Sequence, residues 1–443
     1  MDGDNVCEPR SLAQWLTYID GLHARTMDLG LERVRQVRDQ LALVPSFPIL
    51  MVAGTNGKGS TCAFLTATLV AAGYRVGTYT SPHLVRYQER VMVNGRAVEE
   101  SALCLAFDRV EQGRCGVGLT PFEYGTLAAV NLFCIERVEV AVLEVGLGGR
   151  LDAVNLFEPV LTLVTGIALD HQAWLGSSRE AIGAEKAGIF RAGVPALCGD
   201  PDPPLSLRER ACTVQAPLWC WEHEFSVTKH EDARWDLMLP DRVIPLLPMP
   251  PLKGDFQYRN AALALAGLSR LGSILPVSLE SMRTGLSRAC LPGRFQTWSD
   301  RPLLILDVAH NPESAQALAL NLEQTHCTGI THLVLGMLKD KDIGAVIQAL
   351  VSTVGHWHFA DLDGERGACR EQIEPCMSGI DGARDWYEGP EAAVRAARAQ
   401  MQEGDRLVVC GSFITVGRVL KMLEEEAQRG VVRQDRVDSI SSR

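Results

Sequence analysis

No stretch of this chain reaches the roughly 18 consecutive apolar residues that a membrane span needs, so no membrane segment is expected. The start, Met1-Asp2-Gly3-Asp4-Asn5, is acidic and lacks the basic-then-apolar pattern of a secretory signal. The 13 cysteines are odd in number, scattered and without a Cys-x-x-Cys pair. They read as reduced thiols of a cytoplasmic protein, not as a disulfide framework. Positive charge is in deficit, with a net charge of −11. That argues against a nucleic-acid partner, which a basic patch or stripe would serve. It leaves room for a small anionic substrate, because a local pocket can be basic on an acidic protein. Internal repeats and low-complexity tracts are also missing. With 443 residues and an ordinary 22% of charged residues, the chain reads as globular and too long for one core.

What is present is a lysine in a tight glycine loop, Gly54-Thr55-Asn56-Gly57-Lys58-Gly59-Ser60. The apolar run Ile49 to Ala53 before it reads as a buried parallel strand. Thr61 to Leu69 after it reads as a helix ending near Gly73. Strand, glycine loop, lysine, hydroxyl and helix make a phosphate cradle, and ATP or a similar nucleotide is the expected ligand. Backbone N–H groups and the helix N-terminus take the anion, Lys58 adds a point charge, and Ser60 can reach magnesium. The spelling departs from the common phosphate loop: Val52 stands where the first glycine belongs, and Gly59 follows the lysine. A plain strand-to-helix turn with a surface lysine is the alternative.

From 48 to 170 strand and helix patterns alternate. Strands are expected at 48–53, Val76 to Thr80, Val138 to Val145 and Val160 to Ala168, and helices at 60–72, 99–112 and 122–136. The last two strands are near-continuous apolar runs, which suits burial on both faces. The spacing predicts a doubly wound α/β domain. Residues 205–250, with several tryptophans and prolines, read as short strands and loops, and Gln257 to Leu271 as a helix. A boundary falls near Leu291-Pro292-Gly293-Arg294. A second, smaller βαβ domain follows, with strands at Leu303 to Asp307, Thr331 to Leu335, His356 to Phe359 and Leu407 to Cys410, and a helix at 390–402. Domains are set at 1–292 and 299–430, with a disordered tail at 431–443 and fraying from about Glu424.

Ligands of an open parallel sheet bind at the carboxyl ends of its strands. In the first domain those ends carry the glycine loop, Ser81-Pro82-His83, Glu144 and Asp170-His171. Hydroxyl, carboxylate, imidazole and lysine together suit phosphate and hard-cation chemistry. Taken singly, Ser81 could be a turn serine, Glu144 a salt-bridged carboxylate and His171 a hydrogen-bonded loop histidine. Lys186, in Ala184-Glu185-Lys186-Ala187-Gly188, sits at a helix end with small neighbours that would admit another element. Asp307, His310 and Asn311 follow the first strand of the second domain and, with Arg294, could close on a nucleotide. Asn311 can equally cap a helix that has Pro312 at its first position.

Together these segments resemble the folylpolyglutamate synthase/dihydrofolate synthase family of the Mur-ligase superfamily, from about Trp15 to Leu423. The carrying motifs are Thr26 to Arg33, Ala53 to Ser60, Thr80 to Leu84, Leu143 to Asp152, Leu169-Asp170-His171, Glu185 to Ile189, Leu291 to Arg294 and Asp307 to Pro312. The resemblance implies a Mur-ligase-like P-loop N-terminal domain plus a Rossmann-like C-terminal α/β domain. It implies ATP contacts from Thr55, Asn56, Gly57, Lys58, Gly59, Ser60, Asn260, Arg294, Asp307 and His310. Ser81, Glu144 and His171 would hold Mg2+, and Lys186 matches an N6-carboxylated lysine that supports a second metal. Lys58, Lys186 and His171 would be catalytic. Asp28, Leu29, Gly30 and Leu31, then Thr120, Pro121, Phe122 and Glu123, then Leu151, Asp152 and Ala153 would hold the pterin substrate. Position 256 departs from the family, being Phe256 where His is frequent, so Asn260 is preferred to it.

The expected activity is ATP-dependent joining of L-glutamate to dihydropteroate and to reduced folyl-(poly)glutamates through an acyl phosphate. The expected partners are those small molecules alone, with a cytoplasmic monomer. The alternatives are a Mur-type cell-wall peptide ligase, against which the Thr26–Arg33 segment speaks, and a non-catalytic ATP-binding protein.

Overall fold

The computed structural model describes residues 10–23, 28–380 and 382–441, with backbone only for 430–441. Thr26 and Met27 of the Thr26–Arg33 motif lie outside them. The chain divides into two compact units. The first comprises residues 1–81, 88–251 and 257–289, and the second 82–87, 252–256 and 290–443.

The first unit holds strands β1 (Ile49–Ala53), β2 (Val76–Tyr79), β3 (Val91–Val93), β4 (Arg96–Ala97), β5 (Val140–Glu144), β6 (Leu161–Val164), β7 (Ala196–Cys198) and β8 (Leu218–Cys220). They form one sheet in the order β4-β3-β2-β5-β1-β6-β7-β8. It is parallel from β2 to β8, with β3 and β4 added antiparallel at one edge. β1, β2, β5 and β6 are buried along their whole length, which is why they read as apolar runs without alternation. The helices Lys58–Ala71, Glu100–Arg114 and Pro121–Ile135 fall close to their expected bounds. A three-stranded antiparallel sheet, β9 (Ser226–Lys229), β10 (Trp235–Met238) and β11 (Val243–Leu247), completes this unit.

Two expectations need correction here. The fourth strand ends at Val164, not Ala168, because 165–168 leave the sheet to bond with the glycine loop. Residues 205–214 form a helix, and Leu218–Cys220 joins the main sheet as its edge strand. The aromatics and prolines around them hid both elements.

The second unit is built on β12 (Gln296–Asp300), β13 (Leu303–Leu306), β14 (Thr331–Leu335), β15 (His356–Ala360), β16 (Ala383–Tyr387) and β17 (Arg406–Cys410). Their order is β12-β13-β17-β14-β15-β16, parallel except for β12. One face carries Ile305, Leu333, Leu335, Trp357 and Phe359 in a core with the helices Pro312–Glu323 and Ile343–Leu350. The other carries Leu304, Leu306, Val334, Leu407 and Val409 in a core with the helices Pro390–Gln400 and Phe413–Ser441. β12 and β16 are not among the expected strands. Both are edge strands with polar, part-exposed side chains, so no apolar run marks them. The segment from Glu424 read as frayed continues the last helix to Ser441. Its Glu, Ala, Gln and Arg are good helix formers extending a nucleus already made.

Arg406, at the start of β17, is buried and holds this unit together. Its Nε donates to Thr331 Oγ1 at 2.9 Å, and its Nη1 donates to Leu322 O at 2.6 Å and Thr325 O at 3.0 Å. Those carbonyls lie at the C-terminal end of the helix Pro312–Glu323, where a cation complements the dipole. Arg406→Met strands these acceptors and is expected to lower stability by about 2–4 kcal/mol. Urea denaturation checks this, and a loss under about 0.5 kcal/mol would show that the carbonyls find other donors.

Candidate functional site

The glycine loop leaves β1 between the ends of β5 and β6, where chain direction diverges to either side. Gly54 has φ +147° and Gly57 has φ +89°. A Cβ on Gly54 would lie 1.8 Å from Thr165 Oγ1, and one on Gly57 would lie 2.6 Å from Asn260 Oδ1. The loop is pinned to the segment after β6. Thr55 N–H donates to Gly166 O at 2.7 Å, Ala168 N–H to Thr55 Oγ1 at 3.1 Å, and Thr165 Oγ1 to Asn56 O at 2.6 Å. The helix Lys58–Ala71 starts at once, with Gly57 at its cap. Lys58 Nζ donates to Gly54 O at 3.0 Å and Thr55 O at 3.1 Å.

Behind the loop, Ser60 is buried and accepts from Gln257 Nε2 at 3.3 Å. Asn260 Nδ2 donates to Gln257 Oε1 at 3.0 Å. Gln257 is therefore the partner of two expected site residues, yet it was not expected itself. Its i, i+3 spacing from Asn260 on the helix Asp255–Arg270 was the available signal.

Glu144 ends β5 and is buried, and its Oε2 accepts from the Ser81 N–H at 3.2 Å, so these two meet. His171 lies beyond β6, on the other side of β1, with φ +49° and its Nε2 3.9 Å from Asp170 Oδ1. Lys186 is the last residue of the helix Arg179–Lys186 and is 3% exposed. Burial lowers its ammonium to a pKa of about 7, and the charge of Lys58 pushes the same way, against Asp170 and Asp152. Gly149 and Gly188 make this burial possible. A Cβ on Gly149 would sit 2.7 Å from Glu185 O, and one on Gly188 would sit 2.4 Å from Arg150 Cβ. Of the small neighbours expected to bury the lysine, Ala187 and Gly188 are buried but Ala184 is exposed. Asp152 is raised to about 6 by burial, opposed by N–H groups of Leu147 and Val154 and by Lys58. It accepts from Leu147 N–H at 2.8 Å and Val154 N–H at 2.9 Å, so it caps the turn Ala153–Leu156.

The three expected pterin segments meet in part. Arg33 Nη1 donates to Asp28 Oδ2 at 2.6 Å, and its Nη2 donates to Glu123 Oε1 at 2.9 Å. Arg33 thus ties Asp28, and with it the half-buried Leu29, Gly30 and Leu31, to the start of the helix Pro121–Ile135. Thr120 and Glu123 form a capping box there, so local structure already accounts for both side chains. Phe122 stands 5.9 Å from the Tyr79 ring and against Gly146, whose Cβ position would be 2.6 Å from it. Ala153 is buried and Leu151 half-buried beside Asp152.

In the second unit Asp307 accepts from Phe295 N–H at 2.7 Å and Ala309 N–H at 2.8 Å. Burial pushes its carboxyl up against the pull of Arg294. The Arg294 guanidinium lies 5.1 Å from the Phe413 ring centre, and the His310 ring lies 6.0 Å from the same ring. Phe413 was not expected, although it follows the end of β17 as closely as His310 follows that of β13. Asn311 caps the helix Pro312–Glu323 through Ser314 N–H at 3.0 Å.

A phosphate loop at the centre of a doubly wound sheet, followed by a smaller α/β unit, is the fold of a Mur-type ligase. A model of the Mur ligase, glutamate ligase domain matches residues 293–413. Dihydrofolate synthase/folylpolyglutamate synthase of Escherichia coli (strain K12) is 44% identical over 426 residues, covering 95% of this chain and 97% of its own length. An E. coli FolC structure in complex with DHPP and ADP superimposes with a TM-score of 0.89 at 42% identity, over 94% of this chain and 99% of that one. A bifunctional folylpolyglutamate synthase/dihydrofolate synthase with Mn, AMPPNP and L-glutamate bound gives a TM-score of 0.87 at 44% identity, over 94% and 98%. The chain belongs to the dihydrofolate synthase/folylpolyglutamate synthase family of Mur-type ligases. No helix among the described residues is long and apolar enough to cross a membrane.

Gly57→Ala adds a Cβ against Asn260 and asks a left-handed conformation of alanine, which costs roughly 1 kcal/mol or more. Turnover is expected to fall more than about tenfold while the thermal midpoint drops by only a few degrees. Steady-state kinetics beside thermal unfolding checks the pair, and unaltered turnover would show that the loop adapts.

Proposed function

We propose that this chain is an ATP-dependent ligase that joins L-glutamate to dihydropteroate and to reduced folyl-(poly)glutamates by way of an acyl phosphate. The observation that carries the reading is the glycine-walled loop whose lysine charge acts on both Asp152 and the buried Lys186. A carboxylate is a poor acylating agent, and transfer of a phosphoryl group from ATP makes it reactive. The loop N–H groups and the start of the helix Lys58–Ala71 bind the phosphates. Lys58 spends two N–H donors on Gly54 O and Thr55 O, and its third reaches a phosphoryl oxygen. Thr55 to Ser60 and Asn260 are assigned to ATP, with Gln257 holding Ser60 and Asn260 in place. Arg294, Asp307 and His310 are assigned to the nucleotide on the chemistry of their own cluster.

The donors suit a hard cation: a buried carboxylate, Glu144, bonded to the Ser81 N–H at the end of β5, and the imidazole of His171, which follows β6 on the other side of β1. These three residues would hold magnesium. When bound, the ion neutralises charge on the phosphoryl oxygens. A bare Lys186 ammonium does not fit beside it. Its neutral amine can add carbon dioxide and lose a proton, giving a carbamate whose oxygens suit a second magnesium. With its pKa near 7, that amine is abundant at neutral pH. Residues 28–31, 120–123 and 151–153 are assigned to the pterin substrate, with Arg33 fixing the first against the second. Phe122 supplies the aromatic surface. A cytoplasmic monomer is proposed with the activity.

The deciding experiment measures phosphate release by the purified chain with dihydropteroate, tetrahydrofolate or a UDP-linked muramyl peptide, each with and without L-glutamate. Release should require glutamate together with either pterin substrate, and dihydropteroate should inhibit the tetrahydrofolate reaction competitively. Release with the muramyl peptide alone points to the cell-wall ligase, and release independent of any acceptor points to the ATP-binding protein.

Lys58→Ala removes a transition-state charge contact worth on the order of 3 kcal/mol, so turnover should fall more than a hundredfold at saturating ATP and magnesium. Near-normal turnover would sink the assignment of the loop. Lys186→Ala should be nearly inactive and partly rescued by short carboxylic acids, which replace the carbamate oxygens. A bare ammonium at Lys186 in a high-resolution map of active, magnesium-loaded protein would refute the modification.

A further inference from the structure

Three histidines gather at the far end of the second sheet from Asp307 and His310. His332 is the second residue of β14, and His356 and His358 are the first and third of β15. β13, β14 and β15 run parallel through β17, so these residues stand near strand starts, while Asp307 and His310 follow a strand end. All three project from one face, in register beside the apolar layer of Val334, Ala360, Ala397 and Leu407. His332 and His358 are buried, and His356 is half-buried. One ring nitrogen of each lies within 4.8 Å of those of the other two.

Their hydrogen bonds assign the nitrogens. His332 Nε2 lies 3.3 Å from Asp405 Oδ2, His356 Nε2 lies 3.0 Å from Asp385 Oδ2, and His358 Nδ1 lies 3.3 Å from the Tyr387 hydroxyl. Each imidazole is thus held from outside through one nitrogen by an oxygen. A metal-bound histidine is held in the same way, its second nitrogen fixed by a carboxylate or other oxygen. The remaining nitrogens of His332 and His358, Nδ1 and Nε2, face each other at 3.0 Å. Nδ1 of His356 makes no hydrogen bond among the described residues.

We propose that His332, His356 and His358 form a binding site for a divalent transition-metal ion of the zinc class, separate from the magnesium chemistry of the first unit. Three neutral imidazoles select zinc, cobalt, nickel or copper over magnesium, which prefers oxygen. Zinc–nitrogen bonds of about 2.0–2.1 Å space tetrahedral ligands by roughly 3.3 Å. The His332–His358 pair stands near that spacing already, and His356, whose ring stacks on that of His358 with centres 4.3 Å apart, has to turn as well as close on the same point. Its partial exposure gives it room, and with Asp385 it gives the ion a way in. Binding moves one proton within His358, from Nε2 to Nδ1, and turns the Tyr387 hydroxyl from donor to acceptor. No net charge is left uncompensated beyond the ion's own, which Asp405 and Asp385 face through the rings. Three protein ligands leave a fourth position for water.

The test is calorimetric titration of the full, tag-free chain with zinc chloride, backed by the visible spectrum of the cobalt-loaded protein. One equivalent should bind with Kd below about 1 µM. His356→Gln and His332→Gln should each weaken binding at least about a hundredfold, and Asp385→Asn about tenfold. Circular dichroism verifies that the variants fold, and ligase turnover of His356→Gln without added zinc should match the parent. The cobalt spectrum should lack a thiolate charge-transfer band. Absence of stoichiometric binding, binding that survives in the folded His356→Gln chain, or a thiolate band would each overturn the site. The first of these outcomes leaves the three rings as a hydrogen-bonded structural chain.

Discussion

Everything at the candidate site depends on two places where a side chain would not fit. Gly54 faces Thr165 and Gly57 faces Asn260 so closely that a single added carbon collides with either. The loop can therefore be tight, left-handed and pinned at once to the chain leaving β6. A loop held in this way would need little reorganisation to receive a phosphate, which is the condition for electrostatic stabilisation to act fully. Lys58 gains its position from the same turn, since its ammonium rests on the carbonyls of Gly54 and Thr55.

A second pair of glycines does for Lys186 what the first pair does for Lys58. Gly149 and Gly188 let the loop after β5 press on the end of the helix Arg179–Lys186. The lysine is closed off from water and, with Lys58 close enough to repel it, becomes a neutral amine near physiological pH. Burial here favours the uncharged, nucleophilic amine, where elsewhere it would only cost stability. Asp152 shows the reverse of the same effect. It lies in the same closed surroundings and is pushed upward, held back by backbone N–H donors.

The second unit uses its charges differently. Arg406 is spent on the end of a helix and Asn311 on the start of the same one, so both serve the framework. Arg294 and His310 instead both lie beside one half-buried aromatic ring, Phe413, close to the carboxyl ends of β13 and β17. The histidines of β14 and β15 occupy the opposite ends, so the two clusters do not compete for the same end of the sheet.

Local chemistry alone determined the phosphate loop, because its glycines, lysine and flanking strand are contiguous. It also determined the central strands, whose burial on both faces writes an unbroken apolar run, and the helix begun by Asn311 and Pro312. Edge strands β12 and β16 were illegible because half-exposed strands carry no such run. Gln257, Arg33 and Phe413 were missed because their importance lies in partners distant along the chain, at Ser60, Glu123 and Arg294. The capping box of Thr120 and Glu123 is local and complete in itself, whereas the ion pair that Arg33 adds to Glu123 is not. Tertiary structure alone decided that Lys186 is buried near two carboxylates and a second lysine. It alone brought His332 to His356 and His358, since strand register pairs residues that no local pattern connects.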